Sequence, residues 1–255
     1  MRIDALKRLS ILGLACLLIP TGAIADAPAF DRPGIAFAPS TLAQGTFDWE
    51  QGLPDAQRDS ENGVRVTSYT ADTTVRIGLS STTEVQIAGS AWNRLDVETA
   101  QTTTHADGAG DTRLSIKWAP ALPSENISLA MLGTVTLDTG SPAFTNGRPI
   151  YSLGATIARD VGAGCEIALY ANVDRSGGAD TWTLSPNISF PIAGPVGGFF
   201  EAGRIAGGGA SDSLAGGGMT WLLHDRVQFD LYARRGLTAH SPDRQAGFGV
   251  SAYWN

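Results

Sequence analysis

Residues 227–236 read VQFDLYARRG. Val227, Phe229, Leu231 and Ala233 alternate with Gln228, Asp230, Tyr232 and Arg234, which is the period of two of a strand with unlike faces. A soluble sandwich would turn the apolar set into a core and leave Asp230 and Arg234 in water. A membrane barrel would turn the apolar set out to lipid and the charges into a lumen. The choice between them decides both the fold and the functions open to the chain.

The alternation recurs along the chain. Val75, Ile77 and Leu79 oppose Arg76; Leu114, Ile116 and Trp118 oppose Arg113, Ser115 and Lys117. Ile167, Leu169, Ala171 and Val173 oppose Glu166, Tyr170, Asn172 and Asp174, and Phe248, Val250, Ala252 and Trp254 oppose Gly247, Gly249, Ser251 and Tyr253. Runs of this kind, broken by Gly, Pro, Asn, Asp and Ser, predict strands at about 44–53, 72–80, 83–95, 110–119, 127–138, 150–159, 165–174, 180–190, 197–206, 213–223, 227–236 and 245–254. The count is even. Odd connections, such as PDAQRDSENGVRVTSYTA, TAQTTTHADGA and DTGSPAFTNGRP, read longer and more polar than even ones such as SST and HDR. Short turns on one side and long loops on the other suit a barrel with both termini on the periplasmic side. Trp49, Trp92, Trp118, Tyr151, Trp182, Trp221 and Trp254 fall near strand ends, as aromatic girdles at two membrane interfaces would.

The N-terminus, MRIDALKRLSILGLACLLIPTGAIADAP, has a basic start (Arg2, Lys7, Arg8), a short apolar run and an Ala23-Ile24-Ala25 cleavage site. Residues 1–25 are therefore expected to be a cleaved signal peptide. Cys16 lies within it, which leaves Cys165 alone in the mature chain and excludes an intrachain disulfide. Residues 26–43 (DAPAFDRPGIAFAPSTLA) are expected to be a periplasmic or lumen-plugging segment, and 44–255 the barrel. A formal net charge of −7 offers no basic stripe for nucleic acid.

No catalytic constellation stands out. His105 is expected in an outer loop, His224 in a tight periplasmic turn and His240 in the last loop beside Ser241, where adjacent side chains point apart. Neither metal-ligand spacing nor a phosphate loop within a βα unit appears. The chain is expected to need no cofactor and not to be an enzyme.

Several segments carry a resemblance: DRPGIAFAPSTLAQGTFDWEQGLPD (31–55), VRIGLSSTTEVQI (75–87), GDTRLSIKW (110–118), FFEAG (199–203) and HDRVQFDLYARRGLTAHSPDRQAGFGVSAYW (224–254). In order and spacing they resemble the outer-membrane proteins grouped with the phenol meta-cleavage pathway protein. The resemblance implies a β-barrel in the outer membrane of a Gram-negative bacterium and a role in passage of small, often hydrophobic or aromatic, compounds. Glu50, Lys117, Glu201 and Asp230 match its recurrent polar sites. Barrels of this kind usually end in an aromatic residue; here Trp254 precedes Asn255 and is expected to take that part in assembly.

The reading is an all-β fold: a transmembrane antiparallel up-and-down β-barrel of about twelve strands. The lumen-facing candidates are Glu50, Arg76, Glu84, Arg113, Lys117, Glu166, Glu201, Asp230 and Arg234. They would either lace a narrow, plugged barrel or line a selective path. The expected function is a channel or transporter for small molecules with a charged, narrow lumen. The alternatives are a structural or adhesive barrel and a soluble periplasmic ligand carrier. Expected partners are outer-membrane lipid, a small-molecule solute and the outer-membrane assembly machinery. Arg235 is expected on the lipid side near the outer rim, where a charge costs only ~0–1 kcal/mol.

Overall fold

The computed structural model describes residues 29–255; the expected signal peptide lies outside them. The inversion posed by residues 227–236 resolves toward the membrane. Leu231 is 52% exposed while Asp230 is 2% exposed. Around the whole sheet the outward face carries exposed Ile77, Ile87, Ile116, Leu153, Leu169, Leu184, Phe200 and Phe248, whereas the largest fully buried side chains are Arg76, Lys117, Glu50 and Glu84. A water-soluble protein does not expose so continuous an apolar surface; a bilayer requires it.

β1 (Phe47–Gly52) and β2 (Asp55–Glu61) are two stretches of one barrel strand, interrupted at Leu53-Pro54, where proline has no N–H to give. Both pair with β3 (Val64–Ser80) on one side and with β14 (Arg244–Trp254) on the other. β5 (Thr103–Gly108) and β6 (Thr112–Trp118) likewise share one edge of β4 (Thr83–Glu98). β7 (Ile127–Leu137), β8 (Ile150–Gly162), β9 (Cys165–Ser176), β10 (Ala179–Ala193), β11 (Val196–Gly207), β12 (Ala210–Leu223) and β13 (Val227–Gly236) follow as antiparallel neighbours. Because β14 also pairs with β1, the sheet closes as a 12-strand antiparallel barrel. Closure removes the unpaired edge that lipid could not satisfy.

The outer ends differ from the sequence reading. The first strand runs on to Glu61 and the second starts at Val64, so the stretch read as a long first connection is a paired hairpin. It closes at Asn62 (φ 52°) and Gly63 (φ 79°), consecutive left-handed positions of a two-residue hairpin turn. The third strand reaches Glu98 and the fourth begins at Thr103, which places His105 in a strand rather than a loop. The seventh and ninth connections are also tight, at Gly177-Gly178 and Gly208-Gly209. Beyond the lipid both faces of a hairpin meet water, so backbone pairing persists while the apolar alternation that betrays a strand disappears.

His224 and His240 do lie in the last two connections. Ser241 is buried and bonded to the backbone of Ser213 and to Thr238, so it braces the loop. Asp111 accepts hydrogen bonds from the backbone of Gly140 and Asn146 and ties the fifth connection to the rim.

The lipid face makes one direct prediction. Leu231→Arg, in mid-strand between Phe229 and Ala233, should lower folding stability in phospholipid vesicles by about 2–4 kcal/mol, and Ala246→Arg near the rim by only ~0–1 kcal/mol. Equal losses in urea titrations of the two variants would contradict the membrane placement.

Candidate functional site

The lumen is not empty. Residues 29–43 pass inside the barrel before the chain enters β1, and Phe30, Phe37 and Leu42 of this segment are buried. Gly78 on β3 is what lets it approach: Gly45 donates its N–H to the Gly78 carbonyl, Gly78 donates to Thr46, and a Cβ at Gly78 would strike the Ala43 carbonyl.

One wall of the barrel holds the segment through charge. The register sets Asp48 opposite Arg76, Arg76 opposite Gln86, and Glu84 opposite Lys117. Into this row comes Asp31. Lys117 Nζ donates to its two carboxylate oxygens at 2.7 and 3.0 Å, Gln86 Nε2 at 2.9 Å, and the Ala38 N–H at 2.9 Å. Arg76 is fully buried and reaches Glu84 at 2.8 Å, Glu50 at 3.1 Å, Asp48 at 3.1 Å and the Ala29 carbonyl at 2.9 Å. Glu50 in turn accepts the N–H groups of Asp31 and Arg32 at 2.9 and 2.7 Å, and Glu84 accepts that of Leu42 at 2.7 Å. Burial pushes the Asp31 carboxyl up, but Arg76 and Lys117 outweigh it and hold it below the ordinary carboxylate range. A lowered value means that its grip is complete above the unfolded carboxylate pKa and is lost only as pH falls through the lowered one.

A second cluster grips the next residues. The Arg32 guanidinium meets Asp55 at 3.0 Å and Asp230 at 3.2 Å. Gly249, opposite Asp230 on β14, makes room, since a Cβ there would collide with Arg32. Arg234 donates to Glu201 at 2.6 Å and to the Pro33 carbonyl at 2.8 Å, with its guanidinium 4.0 Å above the Tyr232 ring. Glu201 also accepts the Ile35 N–H at 2.8 Å.

Of the candidates read from the sequence, the structure thus gathers Glu50, Arg76, Glu84 and Lys117 in one cluster and Glu201, Asp230 and Arg234 in another. Arg113 stands apart, paired with Asp72 at 2.6 Å and partly exposed. Glu166 lies near the turn end of β9, beside the cavity described next. Asp31 and Arg32, which tie the clusters to the segment, do not stand out in the sequence. Only Arg32 has a signal, in the charge count: the lumen candidates hold five carboxylates and four cations, so a further cation is called for, whereas Asp31 adds another acid.

Away from the first cluster the lumen face carries more small and neutral residues. There, between residues 29–40 and strands β8–β13, lies an open cavity of about 640 Å³. Phe37 and Phe199 give it aromatic surface, and Asn187, Ser189 and Glu166 give it polar groups. Thr156 lines it too, 1% exposed and with no hydrogen-bond partner for its hydroxyl. Phe37 meets Tyr170 edge-on at 5.5 Å, so the segment itself forms one side of the space.

The family model described as "Putative MetA-pathway of phenol degradation" matches residues 30–254. No curated protein matches the chain. Among solved structures, the COG4313 outer membrane channel from Pseudomonas putida F1 superposes with a TM-score of 0.69 at 14% identity, covering 87% of this chain and 99% of that one. KdgM porin gives 0.54 at 8% identity over 82% and 99%. The translocator domain of autotransporter NalP from Neisseria meningitidis gives 0.53 at 12% identity over 83% and 89%. At these identities the likeness is one of fold, that of outer-membrane β-barrels.

Proposed function

This chain belongs to the family described as "Putative MetA-pathway of phenol degradation", and from that premise we propose that it is an outer-membrane channel for small molecules whose lumen is held shut by residues 29–43. One observation carries the reading. The segment is latched by two clusters of charged groups, and beside it remains a cavity of about 640 Å³ that the segment bounds. A barrel serving only as a scaffold or adhesin has no use for a lumen divided this way. A volume of that order fits a small organic solute. Its aromatic and hydroxyl lining suits a solute with an apolar body and one or two polar groups, such as a hydroxylated aromatic compound. Among the described residues the lumen assembles no nucleophile with a base, so passage rather than chemistry is the role proposed. The neighbouring structures named as a channel and a porin support it, as does the outward apolar belt.

Uptake tests the proposal. Cells lacking the protein should accumulate a small hydroxylated aromatic solute more slowly, and re-expression should restore the rate. Unchanged uptake with the protein present and folded in the membrane would favour the scaffold or adhesive reading.

A further inference from the structure

Outside the barrel, three arginines stand side by side. The outward column of β13 runs Val227, Phe229, Leu231, Ala233 and ends at Arg235; that of β14 runs from Trp254 to Ala246 and ends at Arg244. On the first barrel strand the outward column begins at Phe47 and ends, past Ala56, at Arg58. The register puts Arg235 directly opposite Arg244, and Arg244 directly opposite Arg58. All three are exposed.

Directly opposed residues on neighbouring strands lie about 4.5–5.5 Å apart at Cβ, where like charges repel. Among the described residues no carboxylate offsets the repulsion: none of the three arginines forms an ion pair or a side-chain hydrogen bond. The acid further along the same row, Asp96, is engaged by Arg94 at 2.8 Å. Two other surface arginines near this rim are paired, Arg65 with Glu98 and Arg175 with Asp180. The unpaired row therefore asks for a multivalent anion. Guanidinium forks match the oxygens of a phosphate group.

The position of the row says where that anion comes from. It tops three apolar columns at the rim opposite the termini. Beneath it, on the same outward face, the columns present Ala233, Leu231, Ala246 and Phe248. A cationic site above apolar columns on one face matches a lipid headgroup and its chains. We propose that Arg58, Arg235 and Arg244 bind the phosphate of a phosphorylated glycolipid in the outer leaflet, with an acyl chain along the apolar columns below. The inference rests on the proposed membrane placement, with termini on the periplasmic side, but not on solute passage.

The test uses the mature protein in phosphatidylcholine nanodiscs doped with diphosphorylated lipid A or with lipid A stripped of its phosphates, and reads retained glycolipid by native mass spectrometry. Wild type should retain the phosphorylated form at least about tenfold over the stripped one, and an R58Q/R235Q/R244Q variant should lose that preference. Arg159→Gln, an exposed arginine near the opposite rim, should leave it unchanged, and excess inorganic phosphate should not displace the lipid. Equal retention by wild type and the triple variant would overturn the proposal. So would equal retention of both lipids, or displacement by inorganic phosphate. Insertion without phosphate preference refutes this inference alone; failure to enter nanodiscs at all refutes the membrane placement with it.

Discussion

Replacing Asp31 and Arg32 together by alanine should convert a largely silent barrel into one that conducts. The pair supplies the only charged side chains of residues 29–43: Asp31 reaches Lys117 and Gln86, Arg32 reaches Asp55 and Asp230. Hydrogen bonds to charged groups contribute about 1.5–3 kcal/mol each. Losing even two shifts the bound-to-released ratio of the segment by on the order of 100-fold or more, at about 1.4 kcal/mol per factor of ten. The apolar anchors Phe30, Phe37 and Leu42 remain, so the variant should gate between closed and open levels rather than stay open. In planar bilayers its open probability should rise accordingly. Arg32→Lys should fall between, since an ammonium keeps the charge but not the fork that meets Asp55 and Asp230 together. A double variant as silent as wild type would show that these contacts do not hold the lumen closed.

Arg76→Ala should have the largest effect on stability. Arg76 sits fully buried among Asp31, Asp48, Glu50 and Glu84. Those four carboxylates already face only two cations, Arg76 and Lys117. Asp48 depends on Arg76 most, since neither of its buried oxygens has a hydrogen-bond partner and its ion pair with Nη1 at 3.1 Å is its compensation. Removing one partner of a buried charged set costs about 3–5 kcal/mol, because the others stay desolvated and unpaired. Urea titration in vesicles should show a loss of that order. Adding Asp48→Asn should recover part of it by deleting the least compensated charge, a coupling of about 0.5–3 kcal/mol. Strict additivity of the two substitutions would mean that the cluster does not act as a unit.

Much of the fold is legible because lipid imposes a rule that sequence displays. Wherever a strand crosses the bilayer, its outward residues must be apolar, and the lumen is free to be polar; hence Val75-Ile77-Leu79 against Arg76, or Leu231 against Asp230 and Tyr232. The rule stops at the membrane surface. Gln57, Arg58, Asp59 and Ser60 are as much a strand as Phe229 and Leu231, but water on both faces erases the alternation, so β2, the start of β3 and β5 carry no such mark. The wall charges are legible for the same reason that the strands are, as polar positions in mid-strand. Their partners are not, because Asp31 and Arg32 belong to an irregular segment whose place is fixed by geometry across the lumen and by no period of its own. Arg235 is readable as an outer-rim charge; that Arg244 and Arg58 stand directly opposite in one row depends on register, which the sequence leaves open.

The most direct test of a latched lumen is a reversible lock. Ile35 reaches toward Gly203 on β11, with its Cδ1 2.9 Å from where a Gly203 Cβ would sit. An I35C/G203C pair, with Cys165 replaced by alanine and the Asp31 and Arg32 substitutions also present, puts one thiol on the segment and one on the facing wall for a disulfide to join. Single-channel recording should find the oxidised protein closed and the same protein conducting after reduction, with open probability returning to that of the unlocked variant. Equal conductance before and after reduction, with the disulfide shown to have formed, would contradict the claim that residues 29–43 close this barrel.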